Sequence, residues 1–177
     1  VTYKSHTDNL NGDLLLRYNL LPGLSIKSNL GYNKIEISQI SSTPSFAINP
    51  LYNANGYSQF GNQYITSYVF EPQINFKHKI ANGNLDFLLG TTLQQTITDG
   101  TSQIVNNYSS DLLLESRSAG TVGYTSYKNI EYKYASIFSR INYNWQNKYI
   151  ANINFRRDGS SKFGPNYQFG NFASYGF

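Results

Sequence analysis

The charged triplet Arg156-Arg157-Asp158 is the first group of side chains in the sequence that could do chemistry. An arginine next to a carboxylate can bind a polar ligand or take part in acid–base catalysis. Side chains two residues apart on a strand share a face, so Arg156 and Asp158 can pair with each other. Asp158-Gly159 is also an ordinary start of a turn. We therefore favour a structural ion pair, ahead of direct contact with a ligand and well ahead of catalysis.

The other reactive side chains do not gather into a catalytic or metal-binding site. His6 and His78 are far apart, and the absence of cysteine excludes a disulfide scaffold or a thiolate metal site. Asp99-Gly100 and Asp111 lack the spacing of a calcium loop. No nucleophile–base pair or phosphate loop occurs, so we expect no enzyme activity and no cofactor.

Aromatic residues in a polar stretch form a second kind of candidate site. Tyr52, Tyr57, Phe60 and Tyr64 could stack on sugar rings, pack against a lid protein, or pack against one another. These residues are therefore ligand candidates, with packing as the alternative.

The composition points to strands that separate water from an apolar medium. The chain has 16 Tyr and 11 Phe in 177 residues, and only 14% of its residues are charged. Asn, Ser, Gln, Thr and Gly supply the remaining polarity. The net charge of +4 is scattered, which argues against a nucleic-acid partner.

Period-two alternation is the dominant pattern along the chain. Between Leu10 and Leu20, the even positions are mostly apolar, whereas the odd positions include Asp13 and Arg17. Similar runs predict seven strands, near 10–20, 24–37, 64–80, 85–98, 131–145, 149–158 and 171–177.

The predicted connections alternate strictly between short turns and long loops. Short turns lie at Leu21-Pro22-Gly23, at Ala81-Asn82-Gly83-Asn84 and at Gln146-Asn147-Lys148, and long loops lie near 39–63, 99–130 and 159–170. Outer-membrane β-barrels have this rhythm, with strands of about 9–11 residues across the apolar layer. The sequence therefore predicts an all-β, antiparallel transmembrane β-barrel in the bacterial outer membrane, in contact with its lipid.

Alternation also assigns the charged side chains to the barrel interior. Arg140 and Arg156 would each cost roughly 2–4 kcal/mol if they faced lipid at mid-depth, so we expect both in the lumen, where they are ligand candidates together with Asp158. Tyr143, Trp145 and Tyr149 flank a short turn and fit an aromatic girdle at the periplasmic interface.

Seven strands cannot close a bacterial barrel of even strand number, and an open edge in hydrocarbon is not viable. We therefore expect the chain to be an incomplete section of a larger barrel.

Two segments of the sequence resemble a known family. Arg156-Arg157-Asp158-Gly159-Ser160-Ser161-Lys162-Phe163-Gly164, followed by Gly170-Asn171-Phe172-Ala173-Ser174, resembles the strand–loop–strand motif of SusC/RagA-type TonB-dependent outer-membrane transporters of Bacteroidetes. Ala173 stands where the family has proline. The segments around Leu20–Leu24 and Tyr143–Tyr149 are similar to family hairpins as well.

The resemblance implies a plugged barrel energised by TonB through an N-terminal region outside this sequence. It also implies a SusD-like surface lipoprotein as partner, and oligosaccharides or peptides as cargo. The expected function is import of bulky nutrients. The alternative is a barrel that serves as a structural or receptor component of a larger outer-membrane assembly.

Overall fold

The computed structural model describes residues 1–52 and 55–177, which form one antiparallel sheet of seven strands in the order β1-β2-β3-β4-β5-β6-β7. The strands are β1 (Thr2–Leu21), β2 (Leu24–Thr43), β3 (Tyr57–Ile80), β4 (Gly83–Asn106), β5 (Thr121–Trp145), β6 (Tyr149–Ser160) and β7 (Phe169–Gly176). Each strand pairs with the next one in sequence, and the sheet is not closed. The predicted fold class, an all-β section of a barrel, is confirmed.

Four short 3-10 turns are the only helical elements in the described part of the chain: Ser45–Ala47, Pro50–Tyr52, Asp111–Leu113 and Arg117–Ala119. None of the helices found among the described residues has the length and apolar character needed to cross a bilayer.

The strands are longer than the sequence pattern predicted. Within the predicted loops near 39–63 and 99–130, β2 continues to Thr43, β3 begins at Tyr57, β4 continues to Asn106 and β5 begins at Thr121. The reason is that alternation of apolar and polar residues marks a strand only where its two faces meet different media. Where both faces are polar, the backbone ladder continues without that signal.

The short turns depend on backbone conformations that few residues adopt. Pro22 and Gly23 form the β1–β2 turn, and Gly23 has a φ of 85°, as the third position of a type II turn requires. At the β3–β4 turn, Ala81 has a φ of 51°, and Gly83 is already the first residue of β4. A side chain at Gly83 would overlap the Tyr143 ring, with its Cβ 2.6 Å from Cζ. The sequence pattern predicted Gly83 as a turn residue. The structure shows instead that position 83 must be glycine because the Tyr143 ring packs directly against it.

The chain divides into two compact units. Unit 1 comprises Val1–Leu10, Asn33–Thr66 and Ile97–Ile130; unit 2 comprises Asn11–Tyr32, Ser67–Thr96 and Glu131–Phe177. Unit 2 contains the short turns and the clearest alternation. Unit 1 contains one end of each of the strands β1 to β5 and the longer connections between β2 and β3 and between β4 and β5.

Unit 2 has an apolar face and a polar face. The apolar face carries exposed large side chains in neighbouring rows, among them Leu14, Leu30, Phe70, Leu93, Ile137 and Phe155. On the polar face, a Cβ at Gly31 would contact Asp13 and Val69, and the Thr92 hydroxyl donates to Glu71 Oε1 at 3.2 Å. Apolar side chains are therefore exposed in rows across one whole face, the reverse of a water-soluble sheet, whose apolar face is packed against a core.

Candidate functional site

An ion-pair network on the polar face of unit 2 joins β5 to β6. Arg156 Nε donates to Asp158 Oδ1 at 2.6 Å, and the Tyr134 hydroxyl donates to the same oxygen at 2.9 Å. The Arg156 guanidinium also donates to the Tyr134 hydroxyl. The pairing of Arg156 with Asp158 that strand geometry allowed is therefore present. Both charges are satisfied within the wall, so the network stabilises the sheet before any ligand binds.

Arg156 also contacts an aromatic ring on the polar face. Its guanidinium carbon lies 5.9 Å from the centre of the Phe138 ring, and Phe138 is its register partner on β5. Gly90 on β4 leaves room for that ring, because a Cβ there would lie 2.6 Å from Phe138 Cζ. Arg140 lies opposite Asn154, on the same face two residues further along β5. Arg140 and Arg156 therefore lie on the same polar face, but of the two only Arg156 pairs with Asp158.

The family-like motif forms a corner between β5, β6 and β7. Arg157 lies over the Phe169 ring at 5.0 Å, and a Cβ at Gly159 would be 2.6 Å from the same ring. Ser160 N donates to Gln168 O at 2.9 Å. Ser161 and Lys133 exchange two bonds: Ser161 N donates to Lys133 O, and Lys133 N donates to Ser161 Oγ, both at 2.9 Å.

The end of the motif is more open. Phe163 is exposed, and a Cβ at Gly164 would meet nothing within 4 Å. The contacts of Arg157, Gly159, Ser160 and Ser161 are made within the protein, which assigns this part of the motif to structure.

A hollow of about 1120 Å³ lies in unit 2. The side chains of its lining that share the polar face include Asp13, Val69 and Tyr134. Lys77 and Asp86 form a looser ion pair on the same face, at 3.5 Å. Unit 2 therefore offers a broad recess whose lining is mostly apolar, with Asp13, Lys133 and Tyr134 among its polar side chains.

Unit 1 contains a small apolar core beneath the longer connections. Phe60, Val105, Tyr108 and Leu114 are buried, and Arg117 lies 5.0 Å from the centre of the Phe60 ring. Phe60 is only 4% exposed, so the structure places it in this core instead of on a ligand-binding surface. Burial raises the pKa of the Tyr108 phenol above its ordinary value.

Polar contacts hold the two connections of unit 1 together. The Asp111 carboxylate accepts hydrogen bonds from Ser45 N at 3.0 Å and from Ser45 Oγ at 2.8 Å. The buried Ser58 hydroxyl donates to Leu114 O at 2.6 Å. Sequence reasoning missed these links, because nothing local marks a contact between residues 66 positions apart.

The remaining aromatic candidates have different surroundings. Tyr57 begins β3 and is 41% exposed, so its ring is open to a ligand. The side chain of Tyr52 lies outside the described residues. The described residues contain no group of three or more His, Asp or Glu placed to hold a metal ion.

Comparison with known proteins gives relatives along almost the whole chain. No family model matches. TonB-dependent receptor P3 of Formosa agariphila is 29% identical over 94% of this chain and 17% of its own length. TonB-dependent receptor P39 of the same organism is 25% identical over 88% of this chain and 15% of its own length. The chain thus spans about a sixth of these curated relatives.

A solved structure agrees with the sequence relatives. The RagAB peptide transporter superposes on 98% of this chain with a TM-score of 0.80 and 26% identity, and the match covers 19% of the transporter chain. Because the superposition covers 98% of the chain, the similarity includes the whole seven-stranded sheet and is not limited to a single hairpin.

Proposed function

We propose that the chain forms part of the wall of an importer for bulky nutrients, as a section of the β-barrel of a SusC/RagA-family TonB-dependent outer-membrane transporter. The observation that carries the proposal most strongly is the superposition of 98% of the chain on the RagAB peptide transporter. In this proposal the barrel resides in the bacterial outer membrane, and TonB energises it through a region outside this chain.

The two faces of unit 2 support this role. Large apolar side chains such as Leu16, Phe70 and Ile137 are exposed on one face, where they would contact lipid. The polar face would line a water-filled lumen, because charged residues such as Arg156 and Asp158 are stable there and costly in lipid.

The partner and the cargo complete the proposal. A SusD-like lipoprotein would cover the outer mouth, as the pairing of two proteins in RagAB suggests. The cargo would be an oligosaccharide or a peptide.

An uptake assay on the full-length protein tests import. Cells that express it should accumulate labelled oligosaccharides or peptides, and either deletion of its gene or a protonophore should abolish accumulation. Accumulation that persists after deletion would refute the proposal.

Co-purification distinguishes the importer from a structural component. A tagged full-length barrel should retain a surface lipoprotein at near-equal stoichiometry. Recovery of a large multiprotein machine, without loss of nutrient uptake on deletion, would favour a scaffold.

A further inference from the structure

A second hollow, of about 490 Å³, lies within unit 1, and the chemistry of its lining differs from that of unit 2. Three glutamines and three serines contribute to it: Gln39, Gln59, Gln63, Ser41, Ser102 and Ser126. Among the described residues that line it, Lys128 alone carries a charge. We call this surface the amide shelf.

The amide shelf spans five neighbouring strands, from Tyr3 on β1 to Ser126 and Lys128 on β5. A Cβ at Gly61 would lie 3.6 Å from Gln39 Oε1, and a Cβ at Gly100 would lie 3.6 Å from Lys128 Cβ. Gln59 Nε2 donates to Ser102 Oγ at 3.1 Å, across the β3–β4 pair. The shelf is therefore a continuous surface, and one of its amides is already held in position.

The two glycines at the centre of the amide shelf have no structural explanation. Glycine weakens a strand interior, and it usually marks a bulge, a bend or the close approach of another group. Of the described glycines, only Gly23 has a positive φ. A Cβ at Gly61 or Gly100 would make ordinary contacts with the protein's own atoms. Both positions therefore keep space open above the sheet, which is the space that a ligand needs.

The lining chemistry selects the class of ligand. Amide and hydroxyl side chains each combine a donor with an acceptor, as the hydroxyl groups of a sugar do. Tyr3, which is 61% exposed, adds an aromatic face to the lining. A peptide would also bring charged termini, which are recognised best by paired arginines or carboxylates. The shelf offers only Lys128 for them.

We infer that the amide shelf binds a segment of a neutral oligosaccharide. This inference rests on the proposed import function and narrows its cargo. Gly61 and Gly100, which together we call the glycine floor, bring sugar rings close to the sheet, and the glutamine and serine side chains hydrogen-bond to the sugar hydroxyl groups.

Valine at the glycine floor gives the sharpest test. The Gly61→Val and Gly100→Val variants should fold at least as well as the parent, because valine favours strands and each Cβ finds room. Each should nevertheless weaken oligosaccharide binding by about tenfold or more, since the branched side chain fills the site. A merely structural glycine would change stability and leave binding alone.

Gly12 provides the matched control. It is also a strand glycine, and a Cβ added there would meet nothing within 4 Å, but it shares the apolar face with Leu14. Gly12→Val should leave oligosaccharide affinity unchanged.

Binding would be measured on the purified full-length protein by native mass spectrometry. One probe is a pool of neutral hexose oligosaccharides of four to eight sugars, and the other is a pool of random octapeptides. We expect oligosaccharides to bind and both floor variants to lose them. Peptide binding without oligosaccharide binding would overturn the inference, as would floor variants that bind oligosaccharides normally.

Uptake in cells separates this inference from the import function. Energy-dependent uptake of peptides alone would preserve import and reject the oligosaccharide site. Oligosaccharide binding that the floor variants abolish, in cells without uptake, would support the site and reject import.

Discussion

Leu15 and Leu16 lie next to each other on β1, with 56% and 52% of their surface exposed, but their side chains lie on opposite faces. Leu16 belongs to the apolar row that runs from Leu10 to Leu20. Leu15 lies on the face of Asp13 and Arg17. An arginine at each position in turn therefore tests the assignment of the two faces, with the other variant as its control.

The expected magnitude follows from the position of the pair. The row from Leu10 to Leu20 extends roughly 33 Å at about 3.3 Å per residue. With a tilt of about 45°, it covers roughly 23 Å of depth, close to the apolar band of about 25 Å. Leu15 and Leu16 occupy its centre. Leu16→Arg should therefore reduce folding stability by roughly 2–4 kcal/mol, whereas Leu15→Arg, on the polar face, should change it by less than about 1 kcal/mol.

The assay is urea unfolding of the full-length barrel in lipid vesicles, followed on gels by the mobility of the folded form. Roughly 2–4 kcal/mol corresponds to a change of about 30-fold to 900-fold in the folding equilibrium. The folded protein recovered from outer membranes should fall in the same order. Equal losses for the two variants, or a larger loss for Leu15→Arg, would refute the face assignment.

Three further predictions concern single residues. Gly23→Ala should destabilise the barrel by about 2 kcal/mol or more, because the φ of Gly23 is 85° and the new Cβ would lie 2.2 Å from Lys77 O. A urea midpoint equal to that of the parent would contradict this prediction. Phe60→Ala should lower hydrogen-exchange protection in the core of unit 1 by roughly 3–5 kcal/mol. Phe46→Ala, at an 84% exposed site, should leave that protection unchanged. Equal effects of the two variants would show that Phe60 does not belong to a stabilising core. Since burial raises the pKa of Tyr108, protection of the same core should be retained below about pH 10 and lost as the pH rises further, and Tyr108→Phe should remove that loss.

The sequence predicted the fold best where the two sides of the sheet differ. Rows such as Leu24–Tyr32 and Leu85–Leu93 alternate because one side is apolar and the other polar. The turn at Pro22–Gly23 was also predictable, since its residues favour the conformation that the structure adopts. The ends of β3, β4 and β5 in unit 1 were not predictable. Backbone hydrogen bonds continue these strands there, and such bonds leave no pattern in the side chains.

The candidate site was predictable only in part, for a related reason. Arg156 and Asp158 are two residues apart, so strand geometry was enough to place them together. Tyr134 joins them from 24 positions away, and Asp111 reaches Ser45 from 66. Phe60 looked like a ligand candidate because an aromatic residue in a polar stretch gives no sign of the distant residues that bury it.

The charges beyond each apolar row show where the proposed lipid boundary falls. On β1, β2 and β5 the same face that carries the apolar row continues into an acid–base pair: His6–Asp8, Lys34–Glu36 and Lys133–Glu131. Such pairs are stable in water or among headgroups and costly in hydrocarbon. In the parts of the strands that lie past these pairs, away from the apolar rows, lipid cannot stabilise the sheet. The buried cluster around Phe60 and the Asp111–Ser45 bonds supply that stabilisation within unit 1. Long strands with polar faces therefore need the folded connections, which in turn hold the amide shelf in a defined shape.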